Sequence, residues 1–439
     1  MITGRSPIFR RAGRGLLRVM LHLLQGLAGL VLLLAVGGTI LSLWWGHEFT
    51  QRLETLRAQE QPLTMREAAP KPVPAGENAA GLYQQVFKLD PSRPPSAASV
   101  NARSLELPGV TSRDGDLLSK YCGKPSAEGD ARAATLLSRP QAQRTLASLE
   151  QASQRPACVF PINWEDPRQH DYPGMLKFYT AARIIAANGV LESRRGRPEE
   201  ASRWFAVGVR MARHAGSFPT LLGQLTRNAV LGILWRAALS VANQPAPPGP
   251  HTTDLDQALA EQDLGAGFLA AARMQRVLDL EVFQVRLLRG VALGNLDYWD
   301  RALPLLAKPS VVSSAKLASE ARLRIGWRTG VGAPMFAPIF TRALGKRDTA
   351  QAEVDLWRLA LALRKYQAAR GQYPASLDQL GPPVLQDPFS GKPYVYRREG
   401  EGFVVYSFGP DMKDDGGKSQ GDAQGKYHEE GDIVWRGER

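Results

Sequence analysis

The sequence predicts a mainly α-helical chain: an N-terminal transmembrane helix, an extracytoplasmic array of helical hairpins, and a small C-terminal α+β module. Three observations predict it. Leu27 to Trp45 is an uncharged apolar run. Between Met175 and Ala242 apolar residues recur at three- and four-residue spacing, the period of a helix face. After Asp348 an amphipathic stretch gives way to short β-type runs separated by glycine-rich turns. With 439 residues and 44% hydrophobic content, the chain has the composition of two or three folded domains. The boundaries predicted are a basic N-terminus at 1–26, the span at 27–45, stalk and linkers at 46–129, a helical body at 130–345 and the module at 346–439.

The run LAGLVLLLAVGGTILSLWW is about as long as the roughly 20 apolar helical residues needed to cross a hydrocarbon core. Arg5, Arg10, Arg11, Arg14 and Arg18 precede it, whereas Glu48, Arg52, Glu54 and Arg57 balance the other flank. Positive charge is retained on the cytoplasmic side, so the N-terminus is expected in the cytoplasm and the body outside it. Trp44 and Trp45 suit the headgroup layer, where an indole buries its ring and keeps its N–H wet. A cleaved secretory signal is the rival reading, but the run exceeds the usual apolar region of about 7–15 residues and no clean small-x-small cleavage site follows. Gly38 and Ser42 form only a weak small-xxx-small pair.

Beyond the span, Thr50 to Glu67 reads as polar helix, and the prolines of AAPKPVPAGENAA place a linker at Ala68 to Gly76. A short helix around Asn78 to Lys88 precedes the proline and serine cluster that starts at Asp90. In the body, NGVLESRRGRPEEASRWFAVGVRMA turns at Gly196; Pro198 suits a first helical turn, and Glu199 and Glu200 complement its positive end. Two antiparallel helices follow from this. Gly189, Gly196, Ala201 and Phe205 stand at offsets that resemble part of one tetratricopeptide unit, too few for a repeat array. A third helix is expected at about Pro219 to Ala242 and a long one from Leu264 to Arg289, ending near Gly290. From Ala307 to Thr341, Pro334 and Pro338 interrupt an apolar stretch.

In the last region the helix DTAQAEVDLWRLALALRKYQAARG leads into GQYPASLDQL, DPFSGKPYVYRREGEGFVVYSFGPDMKDDGG and GDIVW. Strands are predicted at Tyr394 to Tyr396, Phe403 to Tyr406 and Ile433 to Trp435. This order of motifs resembles the C-terminal half of type II secretion system protein G, the major pseudopilin, over roughly the last fifth of the chain. The resemblance implies an α+β fold whose final loop binds one calcium ion, with Asp411, Asp432 and the main-chain carbonyl of Ser407 as ligands. It also implies a bacterial inner membrane and a periplasmic body near a secretion system. The loop itself, with Asp411, Asp414, Asp415, Asp422 and Asp432 beside glycines, suits a hard cation or a solvated acidic turn; Asp414 and Asp415 are the less certain ligands. The family's processing glycine and the glutamate inside its apolar helix have no counterpart here, so a module on a fixed tether is expected rather than a filament subunit.

The net charge of +13 and pI near 9.9 suit anionic lipid or wall polymer as readily as nucleic acid, and an extracytoplasmic body gives nucleic acid no expected part. Cys122 and Cys158 lack zinc-ligand spacing; in an oxidising compartment they could form one disulfide, or remain as buried thiols. No nucleophile elbow, H-E-x-x-H pair or phosphate-binding loop occurs. Glu165, Asp166, His170 and Asp171 could bind metal or move protons, although Asp171 equally suits a helix cap. Glu281 is expected to be buried and ion-paired with Arg276 or Arg286. The expectation is a non-enzymatic membrane-anchored scaffold with protein partners in the envelope. The alternatives are an extracytoplasmic hydrolase using the 163–171 loop and a binding module for anionic envelope polymers.

Overall fold

The computed structural model of the chain describes residues 7–88, 106–165, 174–244, 249–282, 289–309, 311–313, 316, 332–418 and 431–437. Helix α1, Pro7–Ala58, is 52 residues long. It carries two environments on one continuous backbone. From Met20 to Trp44 its large apolar side chains stand exposed, whereas Phe49 and Leu56 are buried against the body. At 1.5 Å per residue the bare part is roughly 37 Å long, enough for a hydrocarbon core. It is the one candidate membrane-spanning helix among the described residues.

Of the segment expected to be stalk and linkers, the described helices are instead part of the body. Helices α2 (Met65–Ala68), α3 (Ala80–Phe87) and α4 (Ser112–Gly123) carry Met65, Tyr83, Phe87 and Leu118, all fully buried. The chain through the proline linker is tied down by Ala79 N–H donating to the Ala157 carbonyl and Asn78 Nδ2 donating to that of Val159. Polar composition misled here, because a few large side chains per short helix suffice to dock it. Glu281 departs from expectation as well. It is exposed, and its Oε1 accepts from Met65 N–H at 3.0 Å, satisfying an orphan donor in the first turn of α2.

Helices α5 (Ala127–Leu137) and α6 (Pro140–Ser153) lead to the centre of the molecule. There α7 (Gly174–Arg194), α8 (Pro198–Gly216) and α9 (Leu221–Ser240) pack on one another. The α7–α8 turn is the one predicted: Gly196 has φ +74°, a conformation that suits glycine, and Pro198 and Glu199 open α8. Gly189 lets the two helices close, since a Cβ there would stand 3.1 Å from the Phe205 ring. Helix α10 (Pro250–Ala260) lies on α8, and α11 (Leu264–Val282) pairs with α12 (Arg289–Leu306). Gly290, expected to end a long helix, lies in the first turn of α12, an element the sequence reading missed.

The last helix, α13 (Gly332–Arg370), has 39 residues and begins 16 before Asp348, running through Pro334 and Pro338. Pro334 falls in the first turn, where an N–H has no helical partner to lose. Helix α13 packs on α9, α10, α11 and α12, so it is shared by the body and the C-terminal sheet. That sheet is antiparallel with order β1 (Val395–Glu399), β2 (Gly402–Ser407), β3 (Ile433–Gly437), in register Val395 with Tyr406 and Ser407 with Ile433. Trp435 seals it to the body: its ring centroid lies 5.0 Å from that of Trp235 on α9 and 6.2 Å from that of Trp357 on α13. The region from 346 onward therefore shares one hydrophobic core with the helices.

Candidate functional site

The C-terminal site is built on a buried aspartate that the sequence reading passed over. Asp387, in the DPFSG turn before β1, is 1% exposed. Its carboxylate accepts from Phe389 N–H at 3.2 Å, Ser390 N–H at 3.1 Å, the Ser407 hydroxyl at 2.6 Å and Phe408 N–H at 3.2 Å. It thereby ties the turn to the end of β2, from which the acidic loop departs. Ser407, expected to offer its carbonyl to a cation, is fully buried and uses its hydroxyl to donate to Asp387.

The loop carboxylates largely serve the loop's own backbone. Asp411 accepts from Lys413 N–H at 3.2 Å and Gly431 N–H at 3.4 Å. Asp414 Oδ1 accepts from the Tyr406 hydroxyl at 3.0 Å and Gly416 N–H at 2.9 Å. Asp432 accepts from Gly417 N–H at 2.6 Å and Asp415 N–H at 3.3 Å. Glycines at 416 and 417, with φ +74° and +76°, make this wrapping possible. Burial raises the pKa of Asp432 above the usual carboxylate range, and the nearby Asp414 and Asp415 charges add to it. Among the described residues no group of three or more carboxylate, histidine or cysteine side chains is gathered to hold a metal ion. Asp422 lies outside the described residues.

The other sequence candidates separate. Glu165 pairs with Arg66 at 2.9 Å, both largely exposed, while Asp166, His170 and Asp171 lie outside the described residues. Cys122 and Cys158 are free and buried, and no disulfide joins them. They face different surroundings: Cys122, on α4, lies near Arg183 and Arg236, and Cys158 lies near Tyr83, its carbonyl accepting from the Ser217 hydroxyl. Burial pushes the Cys122 thiol up to about 12, which removes it from thiolate chemistry at neutral pH.

Two surface cavities complete the picture. One, of about 390 Å³, runs between α10 and α13 and is lined by Thr252, Thr253, Asp256, Arg364, Lys365 and Tyr366 among others. The other, of about 620 Å³, lies between α4, α5 and α9, with Lys120, Lys124, Arg132 and Arg236 on its walls. Arg132 is paired with Glu128 and Arg236 acts through its charge on the buried Glu353, whereas Lys120 and Lys124 make no salt bridge among the described residues. Compared with known families, curated proteins and solved structures, the chain has no match.

Proposed function

We propose that this chain is a single-span membrane protein of the bacterial inner membrane, with its N-terminus cytoplasmic and its body periplasmic, serving as a scaffold for envelope protein partners. The observation that carries the reading is the division of α1: bare and apolar from Met20 to Trp44, packed from Phe49 onward. A cleaved signal would be removed with the span, yet here the helix continues without a break into the body's core. The pseudopilin-like sheet is fused to that body through Trp435, so it acts as a built-in end of the scaffold; secretion-associated assembly is the setting its resemblance suggests. Calcium fits this reading as a stabiliser of the acidic loop, since a cation would relieve the mutual repulsion of Asp414, Asp415 and Asp432.

Impermeant maleimide labelling of single introduced cysteines in cells with a permeabilised outer membrane tests the topology. Glu401→Cys is expected to label and Ser6→Cys to stay protected until the inner membrane is opened, with the full-length chain resisting alkaline extraction. If cells expressing the full-length chain instead cut it after the span and release the body in soluble form, the anchor reading fails. The calcium part has its own measurement: a rise in melting temperature with calcium over chelator, lost in Asp411→Ala/Asp432→Ala. Lys120 and Lys124 on the wall of the 620 Å³ cavity favour a second reading, binding of an anionic envelope polymer. It requires retention on such a polymer that weakens with salt and drops in Lys120→Ala/Lys124→Ala.

A further inference from the structure

Four helix segments end or pass at one level of the body, and that level is where the bare part of α1 stops. A Cβ on Gly290 would stand 3.1 Å from the Trp45 ring, and one on Gly46 would stand 2.8 Å from Arg289 Nη1, so α12 begins against residues 45 and 46 of α1. Arg52 then pairs with Asp297 at 2.9 Å and Asp300 at 2.6 Å, so α12 runs alongside α1 in the same direction. Helix α13 follows α12 in that sense as well. Phe340 meets Trp299 edge-on at 5.1 Å, and Arg347 donates to the Leu306 carbonyl at 2.6 Å. Counted back from the Trp299–Phe340 contact, α12 and α13 both begin roughly 12–15 Å nearer the span, at the height of Trp45. Helix α11 descends to the same place, with Leu280 packed against Phe49 and Leu293, and its last residue, Val282, is 62% exposed.

We infer that this end of the body, with Val282 of α11 and Arg289 of α12, is a second membrane contact that seats the body on the bilayer crossed by α1. The inference rests on the single-span reading. The occupant is the phospholipid headgroup layer, because the surface is continuous with the apolar run that ends at Trp44 and offers that layer two complementary groups. Val282 presents an exposed apolar side chain for the interfacial region. Arg289 presents a guanidinium whose Nε is buried without a hydrogen-bond partner, and which has no carboxylate partner among the described residues. A headgroup phosphate is the anion such a planar donor set matches. Seated in this way, the body holds one orientation to the membrane, and its C-terminal sheet faces partners at a fixed height.

Depth-dependent fluorescence quenching tests this on the full-length protein in phosphatidylethanolamine/phosphatidylglycerol vesicles, with nitroxides either at the headgroup or deep in the acyl chain. A maleimide fluorophore is placed singly at Leu34→Cys, Val282→Cys or Ala368→Cys; the two native thiols are buried. Ala368 is the remote control, exposed near the far end of α13. Expected are deep-nitroxide quenching at 34, headgroup-nitroxide quenching at 282 and none at 368. Adding Arg289→Glu, with Arg289→Gln as the milder variant, reduces the signal at 282 and leaves that at 34 unchanged. Quenching at 34 with 282 behaving like 368 overturns the seating while the span stands. A label at 282 shielded from aqueous quencher but untouched by either nitroxide also overturns it, since a protein then covers the surface. No quenching at 34 removes the span, and the inference with it.

Discussion

The packing of α3 against α8 and that of α9 against α13 each bury an ionisable side chain, His214 in the first and Glu353 in the second, and the two are treated in opposite ways. His214, 1% exposed, has both ring nitrogens engaged, Nε2 with the Arg155 carbonyl at 2.9 Å and Nδ1 with the Tyr83 hydroxyl at 3.0 Å. The carbonyl can only accept, so Nε2 carries the proton and Nδ1 accepts from the tyrosine. Glu353, 3% exposed, has Oε1 without any hydrogen-bond partner. Desolvation disfavours the charged form in both cases, pushing the imidazole down to about 4 and the carboxyl up to about 8. Arg236 draws the carboxyl's pKa back in part, without reaching it through a hydrogen bond. Burial alone thus does not say whether a polar group holds a fold together; the partners do.

The largest effect is expected where the partners are complete. His214→Ala leaves the Tyr83 hydroxyl and the Arg155 carbonyl unpaired beside a cavity, against an aromatic cluster in which Tyr83 lies 5.0 Å from Phe178 and 5.6 Å from Phe87. A loss of about 3–4 kcal/mol in urea unfolding is expected at pH 7. A loss below about 1 kcal/mol would show that the two bonds contribute little. Next comes the incomplete site. Glu353→Met removes a carboxyl that has no partner at Oε1 and fills similar space, so at pH 8 it is expected to stabilise by about 1–3 kcal/mol. Destabilisation at that pH would mean that Glu353 is bonded after all.

Much of this architecture is legible in the sequence, and the exceptions have physical causes. The long N-terminal apolar helix, the α7–α8 hairpin and all three strands follow from apolar composition and periodicity, from the turn residue Gly196 and from the glycine-rich turns after Asp348. The docking of α2, α3 and α4 does not, because these helices are short and average out as polar even though Tyr83 and Phe87 are fully buried. Helix α12 was hidden by Gly290, which is there for close approach to Trp45 rather than to stop a helix. In the candidate site, the acidic loop was visible as composition, but Asp387 was not, since its role depends on the end of β2, distant in sequence. Glu353 did leave a signal: it falls on the same apolar stripe as Ala350, Trp357 and Ala360, where a carboxylate is out of place.

The pH dependence of stability gives the finest discrimination between the two sites, because their windows only partly overlap. The folded pKa of Glu353 lies above its ordinary value of 4.5, so its contribution is complete below pH 4.5 and is lost as pH rises to about 8. That of His214 lies below its ordinary 6.5, so its contribution is complete above pH 6.5 and is lost on acidification towards 4. Between 4.5 and 6.5 the two oppose one another; between 6.5 and 8 Glu353 acts and His214 is silent. Stability is therefore expected to fall by up to about 1.4 kcal/mol per pH unit from 6.5 to 8 in the native protein. Glu353→Gln, which keeps the shape and cannot ionise, is expected to flatten this slope while leaving stability at pH 4.5 within about 1 kcal/mol of native. A slope that survives in Glu353→Gln would assign the titration to another group and leave Glu353 ionised in the fold, held by Arg236.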